Sequence, residues 1–422
     1  MKPAIDSAGV AALIAAAQAH KAAPEQAVPR LLAAIRRHLG MDVAFVAEFA
    51  GGRRVFRYVD AVVEGAPRPG ESDALEGSYC RLVAEGRIPE LIGDASRVAP
   101  ESAFVMGRPV GAQVCVPMVA ADGRTFGTFC CFSREPDPSL GERDLSLAGA
   151  FAGLALQAIE RGRAAQASQD EIRRRVVHVL EHDKVHALFQ PVYTLAERRV
   201  AGFECLARFD AEPQQGPEFW FAEAAGVGLG AELELGVIRR TLPSLERLPA
   251  ATPVSFNVSP QLLLDGRLDA VLTPRLAGRV VLEVTEHETV QEYARLVSAL
   301  EPLRRRGVRV AIDDAGAGYA SFRHIVRLVP DVIKLDLRLT RDIDHDPARR
   351  ALAAALIRYA REARAEIVAE GVETQAELDT LRELGIGRAQ GYLFGRPMSL
   401  GAALELAESM AARTEAASRS GS

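Results

Sequence analysis

The sequence predicts an α/β fold, a closed (β/α) barrel preceded by a smaller α+β domain. Three observations carry that reading. From His186 onward, eight short apolar runs alternate with helical segments over roughly 210 residues. Run after run closes on or near a carboxylate, an amide or a lysine. Between Ala27 and Arg161 the texture differs, with paired strand-like runs and turn residues between two helical stretches.

Length and composition set the frame. At 422 residues the chain can bury two or three separate cores. It is 48% hydrophobic and 25% charged, as ordinary soluble proteins are. A net charge of −5 argues against a nucleic-acid polymer as partner, which calls for a basic face. Cys80, Cys115, Cys130, Cys131 and Cys205 lack paired metal-ligand spacing and read as buried free thiols of a reducing cytoplasm. No secretory-type segment opens the sequence, so a cytoplasmic location is expected.

Residues 1–26 are expected to hold an N-terminal helix. Its Ala-rich stretch from Ala8 to Ala23 is interrupted by Gln18, His20 and Lys21, so it reads as an amphipathic surface or dimer helix and not as a membrane span. In the domain expected over 27–161, Asp42–Phe49 and Arg53–Val63 read as neighbouring strands joined at Gly51-Gly52. Gln113–Val119 and Thr125–Phe132 read as a hairpin turning at Ala121-Asp122-Gly123. Ser139–Arg161 has helical spacing. A polar helical linker, 162–183, follows; its Arg173-Arg174-Arg175 cluster fits either a solvated helix or a coiled-coil signalling helix between two protomers. The barrel is expected over 184–408. Its runs are Leu188–Val192, Val200–Leu206, Val254–Val258, Val280–Val284, Val308–Ile312, Val332–Leu335, Ile367–Val368 and Gly391–Phe394, read as a parallel sheet with crossover helices. The tail, 409–422, has nothing to bury and is expected to be disordered.

Glu204, Asn257, Glu283, Asp313, Asp314, Lys334, Asp336, Glu370 and Gln390 fall at or near run ends. In a (β/α) barrel those ends converge on one bowl. A single carboxylate there is ordinarily a cap or an ion-pair partner. About five buried together are prohibitive without cations, because each unpaired ion costs several kcal/mol. Hard oxygen ligands suit Mg²⁺ or Mn²⁺, and two such ions ~3.5–4 Å apart would serve an in-line phosphoryl displacement.

The motifs in this half resemble the EAL-type cyclic di-GMP phosphodiesterases, whose fold is a TIM-like barrel. Those motifs are Gln190-Pro191-Val192, Glu204-Cys205-Leu206-Ala207-Arg208, Asn257-Val258-Ser259, Glu283-Val284-Thr285-Glu286, Asp313-Asp314-Ala315-Gly316-Ala317-Gly318-Tyr319, Ile333-Lys334-Leu335-Asp336, Ala369-Glu370-Gly371-Val372-Glu373 and Gln390–Pro397. The resemblance implies that Glu204, Asn257, Glu283 and Asp313 hold one metal, with Asp313 bridging to a second held by Asp314 and Glu370. It implies that Lys334 orients the attacking water, with Glu370 the candidate general base. Gln190, Arg208 and Gln390 would contact substrate, and Glu286 and Glu373 would support the loop from Asp314 to Ser321. Cys205 replaces the family's alanine, Ala315 its phenylalanine and Ala317 its threonine. If the Ala315 change loosens the loop that carries Asp314, Ala315→Phe is expected to raise activity, and no change would mark the alanine as neutral.

Residues 27–161 resemble a GAF domain, carried by Gly77–Val83, Pro89–Ile92, Cys115–Met118 and Phe126–Cys130. No histidine lies between His38 and His178, which argues against a histidine-ligated haem. Arg81 follows Cys80 where linked bilin chromophores are accompanied by histidine. An unknown small molecule or dimerisation alone remain as roles. Cys130 and Cys131 are expected to point to opposite faces of their strand. Trp220 and Phe221 are read as core packing in preference to guanine stacking. The implied activity is metal-dependent hydrolysis of cyclic di-GMP to linear pGpG by a homodimer under control of the GAF-like domain. The alternative is a non-catalytic cyclic di-GMP receptor signalling to a protein partner.

Overall fold

A computed structural model of the chain describes residues 7–18, 21–98, 104–105, 108–284, 293–316 and 319–409. The expected disordered tail lies outside them, apart from its first residue. The chain divides into two compact units, 1–168 and 169–422. Among the described residues no helix is long and apolar enough to cross a membrane.

The first unit opens with helices α1 (Ser7–Gln18) and α2 (Pro24–Leu39). The ends of α2 follow from its residues. Pro24 occupies the first turn, Arg36, Arg37 and His38 the last, and Gly40 closes the helix in the left-handed region. Strands β1 (Val43–Ala50), β2 (Arg53–Ala61), β3 (Ser72–Ala74), β4 (Leu91–Ile92), β7 (Ala112–Val119) and β8 (Thr125–Ser133) form an antiparallel sheet in the order β3-β2-β1-β8-β7-β4. Helix α3 (Tyr79–Ala84) precedes β4. Strands β5 (Phe104–Val105) and β6 (Arg108–Pro109) form a separate short ladder. Both expected strand pairs are present. The β7–β8 turn closes with Ala120 and Arg124 hydrogen-bonded and Gly123 at φ +82°.

Alternation along the strands gives the sheet two apolar faces. Val46, Val114, Phe129 and Cys131 pack with Leu31, Leu32 and Ile35 of α2. Phe45, Cys115, Cys130 and Phe132 pack with Tyr79, Cys80 and Val83 of α3. Cys130 and Cys131 therefore face opposite layers. Helix α4 (Glu142–Glu181) contains both the expected helix and the expected linker as one 40-residue element.

In the second unit β9 (Val185–Thr194), β10 (Arg199–Phe209), β11 (Val254–Val258), β12 (Val280–Val284), β13 (Arg309–Ala315), β14 (Val332–Leu335), β15 (Glu366–Ala369) and β16 (Arg388–Gln390) close into a barrel in the order β10 to β16, then β9. Two expectations are corrected. The sheet is not wholly parallel, because β9 pairs antiparallel with both β10 and β16. Only four residues, Leu195 to Arg198, separate β9 from β10, too few for a parallel crossover. The last strand is Arg388–Gln390 and not Gly391–Phe394. A side chain at Gly391 would place its Cβ 2.2 Å from the Val372 carbonyl oxygen, so the strand ends there and the chain turns.

Alternation sorts the barrel's residues as well. On β12, Val280, Leu282 and Val284 join the large core shared with the surrounding helices, while Val281 packs with Ala311, Val332, Val368 and Val192. Arg309 and Arg388 both reach Glu366, at 3.2 and 2.6 Å.

Candidate active site

The strands bring most of the predicted residues to one place. Glu204 on β10 is in register with Gln190 of β9 and Ser255 of β11. Asn257 is opposite Glu283, and Glu283 is opposite Ala311. On β13, period-two alternation would send Asp313 and Asp314 to opposite faces. The register shifts between Ile312 and Ala315, and Asp314 takes φ +54°. This β-bulge lets consecutive aspartates serve one site, with aspartate tolerating the left-handed region better than bulkier residues. Carboxylate oxygens of Asp313, Asp314 and Glu370 lie within 4.8 Å of one another.

Lys334 of β14 projects into this acidic ring. Its Nζ lies 2.7 Å from Glu283 Oε2, 2.7 Å from Glu370 Oε1, 3.3 Å from Glu204 Oε2 and 3.4 Å from Asp313 Oδ1. Lys334 and Glu283 are each only 2% exposed, so these contacts are largely dry. Asn257 donates to Glu204 Oε1 at 3.1 Å, and Gln390 donates to Glu204 Oε2 at 2.6 Å. Thr340 donates to the Glu370 carbonyl, and Asp336 caps the helix that begins at Leu337.

Ionisation in this ring is strongly displaced. Burial, opposed by the Lys334 charge and reinforced by Glu204 and Asp313, pushes Glu283 up to about 8. Burial and then Asp313 push Asp314 up to about 7, with Asp336 adding to the rise. Glu370 is raised well above the usual carboxylate range by burial and by Asp313. Burial works to lower Lys334, yet Asp313, Glu204, Glu283 and Glu370 together raise it well above its ordinary value. The lysine stays charged while Glu283 and Glu370 are pushed toward their protonated forms. One ammonium is thus too little positive charge for this many buried carboxylates.

That shortage is what divalent cations would remove. The donors are hard oxygens, with no thiolate or imidazole among the described residues of the ring, so the set fits Mg²⁺ or Mn²⁺.

The remaining predicted residues are more dispersed. Gln190 donates to the Gly395 carbonyl at 3.4 Å. Arg208 donates to the Ala207 carbonyl at 2.8 Å and lines a cleft of about 1270 Å³ together with Phe221, Asn257, Ser259 and Arg267. Glu373 is exposed and pairs with Arg341 at 3.3 Å, away from the carboxylate ring's contacts. Glu286 and Ala317 lie outside the described residues. Trp220 is core, stacked on Phe209 with ring centroids 5.6 Å apart, whereas Phe221 reaches the cleft wall. Ala315 is not a loop residue. It is fully buried within β13 and paired with Leu335, so a phenylalanine there would have to displace its neighbours. The expected gain from Ala315→Phe is therefore set against the cost of overpacking a buried strand position.

Sequence reasoning gave no role to Asp336 or Thr340, although Asp336 at a strand end was itself a signal. A family model described as EAL domain matches residues 169–397, more than half of the chain. The chain belongs to the EAL-domain family. Ahead of the EAL barrel, a model described as GAF domain matches residues 21–160. Cyclic di-GMP phosphodiesterase NbdA of Pseudomonas aeruginosa is 32% identical over 312 residues, covering 68% of this chain and 40% of that protein. Cyclic di-GMP phosphodiesterase PdeF of Escherichia coli is 28% identical over 237 residues, covering 54% of this chain and 32% of that protein. The chain spans less than half the length of these relatives. Among solved structures, the EAL enzyme Bd1971 in its cAMP and cyclic di-GMP bound form shares the fold, at TM-score 0.55 and 16% identity over 87% of this chain and 93% of that one.

Proposed function

We propose that the EAL barrel hydrolyses cyclic di-GMP to linear pGpG with two divalent cations, Mg²⁺ or Mn²⁺, under control of the GAF unit. The observation that carries this reading is Lys334 held against Glu204, Glu283, Asp313 and Glu370 in a buried ring. A receptor without catalysis has no use for that costly arrangement.

Glu204, Asn257, Glu283, Asp313, Asp314 and Glu370 are the residues that would hold the cations. When bound, the cations acidify a water and stabilise charge on the phosphoryl oxygens. Asn257 and Gln390 fix both oxygens of Glu204, so its carboxylate is preorganised. The Lys334 ammonium orients the attacking oxygen. Glu370, protonated by burial while no cation is present, would be held as the carboxylate beside bound cations and could then accept the proton from that water. Arg208 at the cleft offers a planar guanidinium to a phosphate, and Gln190 supplies a further polar contact. Water adds across one phosphodiester P–O bond, and the opened ring leaves as pGpG.

The five free, buried cysteines support a reducing, cytoplasmic setting, and a homodimer is the assembly expected of the family resemblance. The test is pGpG release from cyclic di-GMP by the purified chain with Mg²⁺, with Mn²⁺ and with chelator. Metal-dependent release supports the enzyme. Tight binding without release under any metal would replace it by the receptor reading.

A further inference from the structure

We propose that Cys80, Cys115 and Cys130 form a three-sulfur site for a soft, thiophilic divalent cation inside the GAF unit. Sequence spacing hides this site because its parts come from three elements. Cys115 on β7 and Cys130 on β8 are direct cross-strand partners, so their side chains leave the same face of the sheet. Cys80 lies in the first turn of α3, whose N-cap is Ser78, and α3 packs on that face. The Cys80 and Cys130 sulfurs are 3.6 Å apart, and all three sulfurs fall within 4.8 Å of one another. An ion bound at about 2.3 Å from each of three sulfurs sets them about 4 Å apart in a trigonal arrangement. The three sulfurs already approach that spacing.

Two further features point to a ligand. Arg54 is buried and turns Nη1 toward the Cys80 sulfur at 3.2 Å, while its other donors grip Asp73 at 2.8 and 2.5 Å. A guanidinium there favours thiolate over thiol, which is the ligating form. On the same strand face as Cys130, the fully buried Thr128 hydroxyl lies against the Cys80 thiol and, like Arg54, favours its thiolate.

The donor chemistry selects the ion. Three sulfurs without imidazole or carboxylate suit a soft cation and not Mg²⁺ or Mn²⁺. The surrounding Phe45, Phe56, Tyr79 and Phe132 keep water out, which strengthens sulfur ligation. Cys131, on the opposite face, takes no part.

The experiment titrates the reduced, chelator-stripped full chain with Cd²⁺ and follows sulfur-to-cadmium charge-transfer absorption, to which the oxygen donors of the barrel do not contribute. The expected band saturates at one equivalent with the intensity of three thiolates. It persists in Glu204→Ala and Cys131→Ser and is lost in Cys80→Ser, Cys115→Ser and Cys130→Ser, with circular dichroism confirming that each variant is folded. Should those variants unfold, the wild-type band intensity decides, and a value for two thiolates or fewer overturns the site. So does a band that survives in folded Cys115→Ser. A disulfide between Cys80 and Cys130, with no cadmium uptake after its reduction, would overturn the proposal in favour of a redox pair.

Discussion

Replacing Lys334 by methionine removes the ammonium that faces four carboxylates at 2.7 to 3.4 Å while keeping most of the side chain's volume. Breaking a buried ion pair by deleting one partner costs about 3–5 kcal/mol, because the other charge stays buried and uncompensated. For a unit of this size each kcal/mol moves the melting midpoint by about 2–4 °C, so a fall of roughly 6–20 °C is expected in chelator. The chain supplies its own reporter. Trp220 is the single tryptophan, it is 1% exposed, and it lies in the barrel's core, so its fluorescence reports barrel unfolding whatever the GAF unit does. Mg²⁺ or Mn²⁺ is expected to restore part of the lost midpoint, since added cations occupy the charge deficit, while turnover stays lost. An unchanged or raised midpoint in chelator would refute the reasoning. It would mean that protons alone neutralise the ring and that Lys334 is not its counter-charge. Absence of any metal recovery would remove the argument that the ring is a cation site.

Three further outcomes are expected. Glu204→Ala lowers pGpG release by more than about 10²-fold with the Trp220 transition retained, measured by product chromatography; wild-type-like turnover would remove Glu204 from the metal site. In chelator, the Trp220 midpoint falls as pH rises between about 4.5 and 8, because Glu283 with its folded value near 8 binds a proton that the unfolded chain has released; stability is full below the ordinary value of 4.5 and lost through 8, and Mn²⁺ flattens the profile. Ala315→Phe overpacks a fully buried strand position and lowers stability by about 1–3 kcal/mol in urea denaturation, where a gain in activity without that loss would show that the ring finds space toward the neighbouring loop.

Much of this molecule is legible in its sequence because alternation is local. Val280, Leu282 and Val284 against Val281 and Glu283 declare a strand with one face toward helices and one toward a polar site. What escapes is whatever depends on chain direction or on contacts between distant residues. The antiparallel first strand was signalled only by a four-residue gap after Thr194. The end of the last strand was set by a close approach between Gly391 and Val372, residues not adjacent in sequence. The bulge that gathers Asp313 and Asp314 contradicts the strand period itself, although their place just after a run end already put both near the bowl. The thiol cluster had no local signal at all, since Cys80 and Cys130 are 50 residues apart.

The same geometry explains why the charge deficit persists instead of collapsing. Alternation places Val281, Ala311, Val332 and Val368 two residues below Glu283, Asp313, Lys334 and Glu370 along their strands, an apolar layer that Val192 joins. That layer offers the carboxylates no donor from beneath. Asn257 and Gln390 both direct their amides at Glu204. The helices outside cannot reach in through a closed sheet. Among the described residues no further cation faces the ring, which leaves protons or cations arriving at the open ends of the strands, and at neutral pH in millimolar divalent ion the cations have the advantage of charge. A barrel that merely needed stability would have filled this layer with apolar side chains, which are as good or better in a buried position. The deficit is therefore the feature on which the proposed metal-assisted chemistry rests, and it is set by which strand positions face inward.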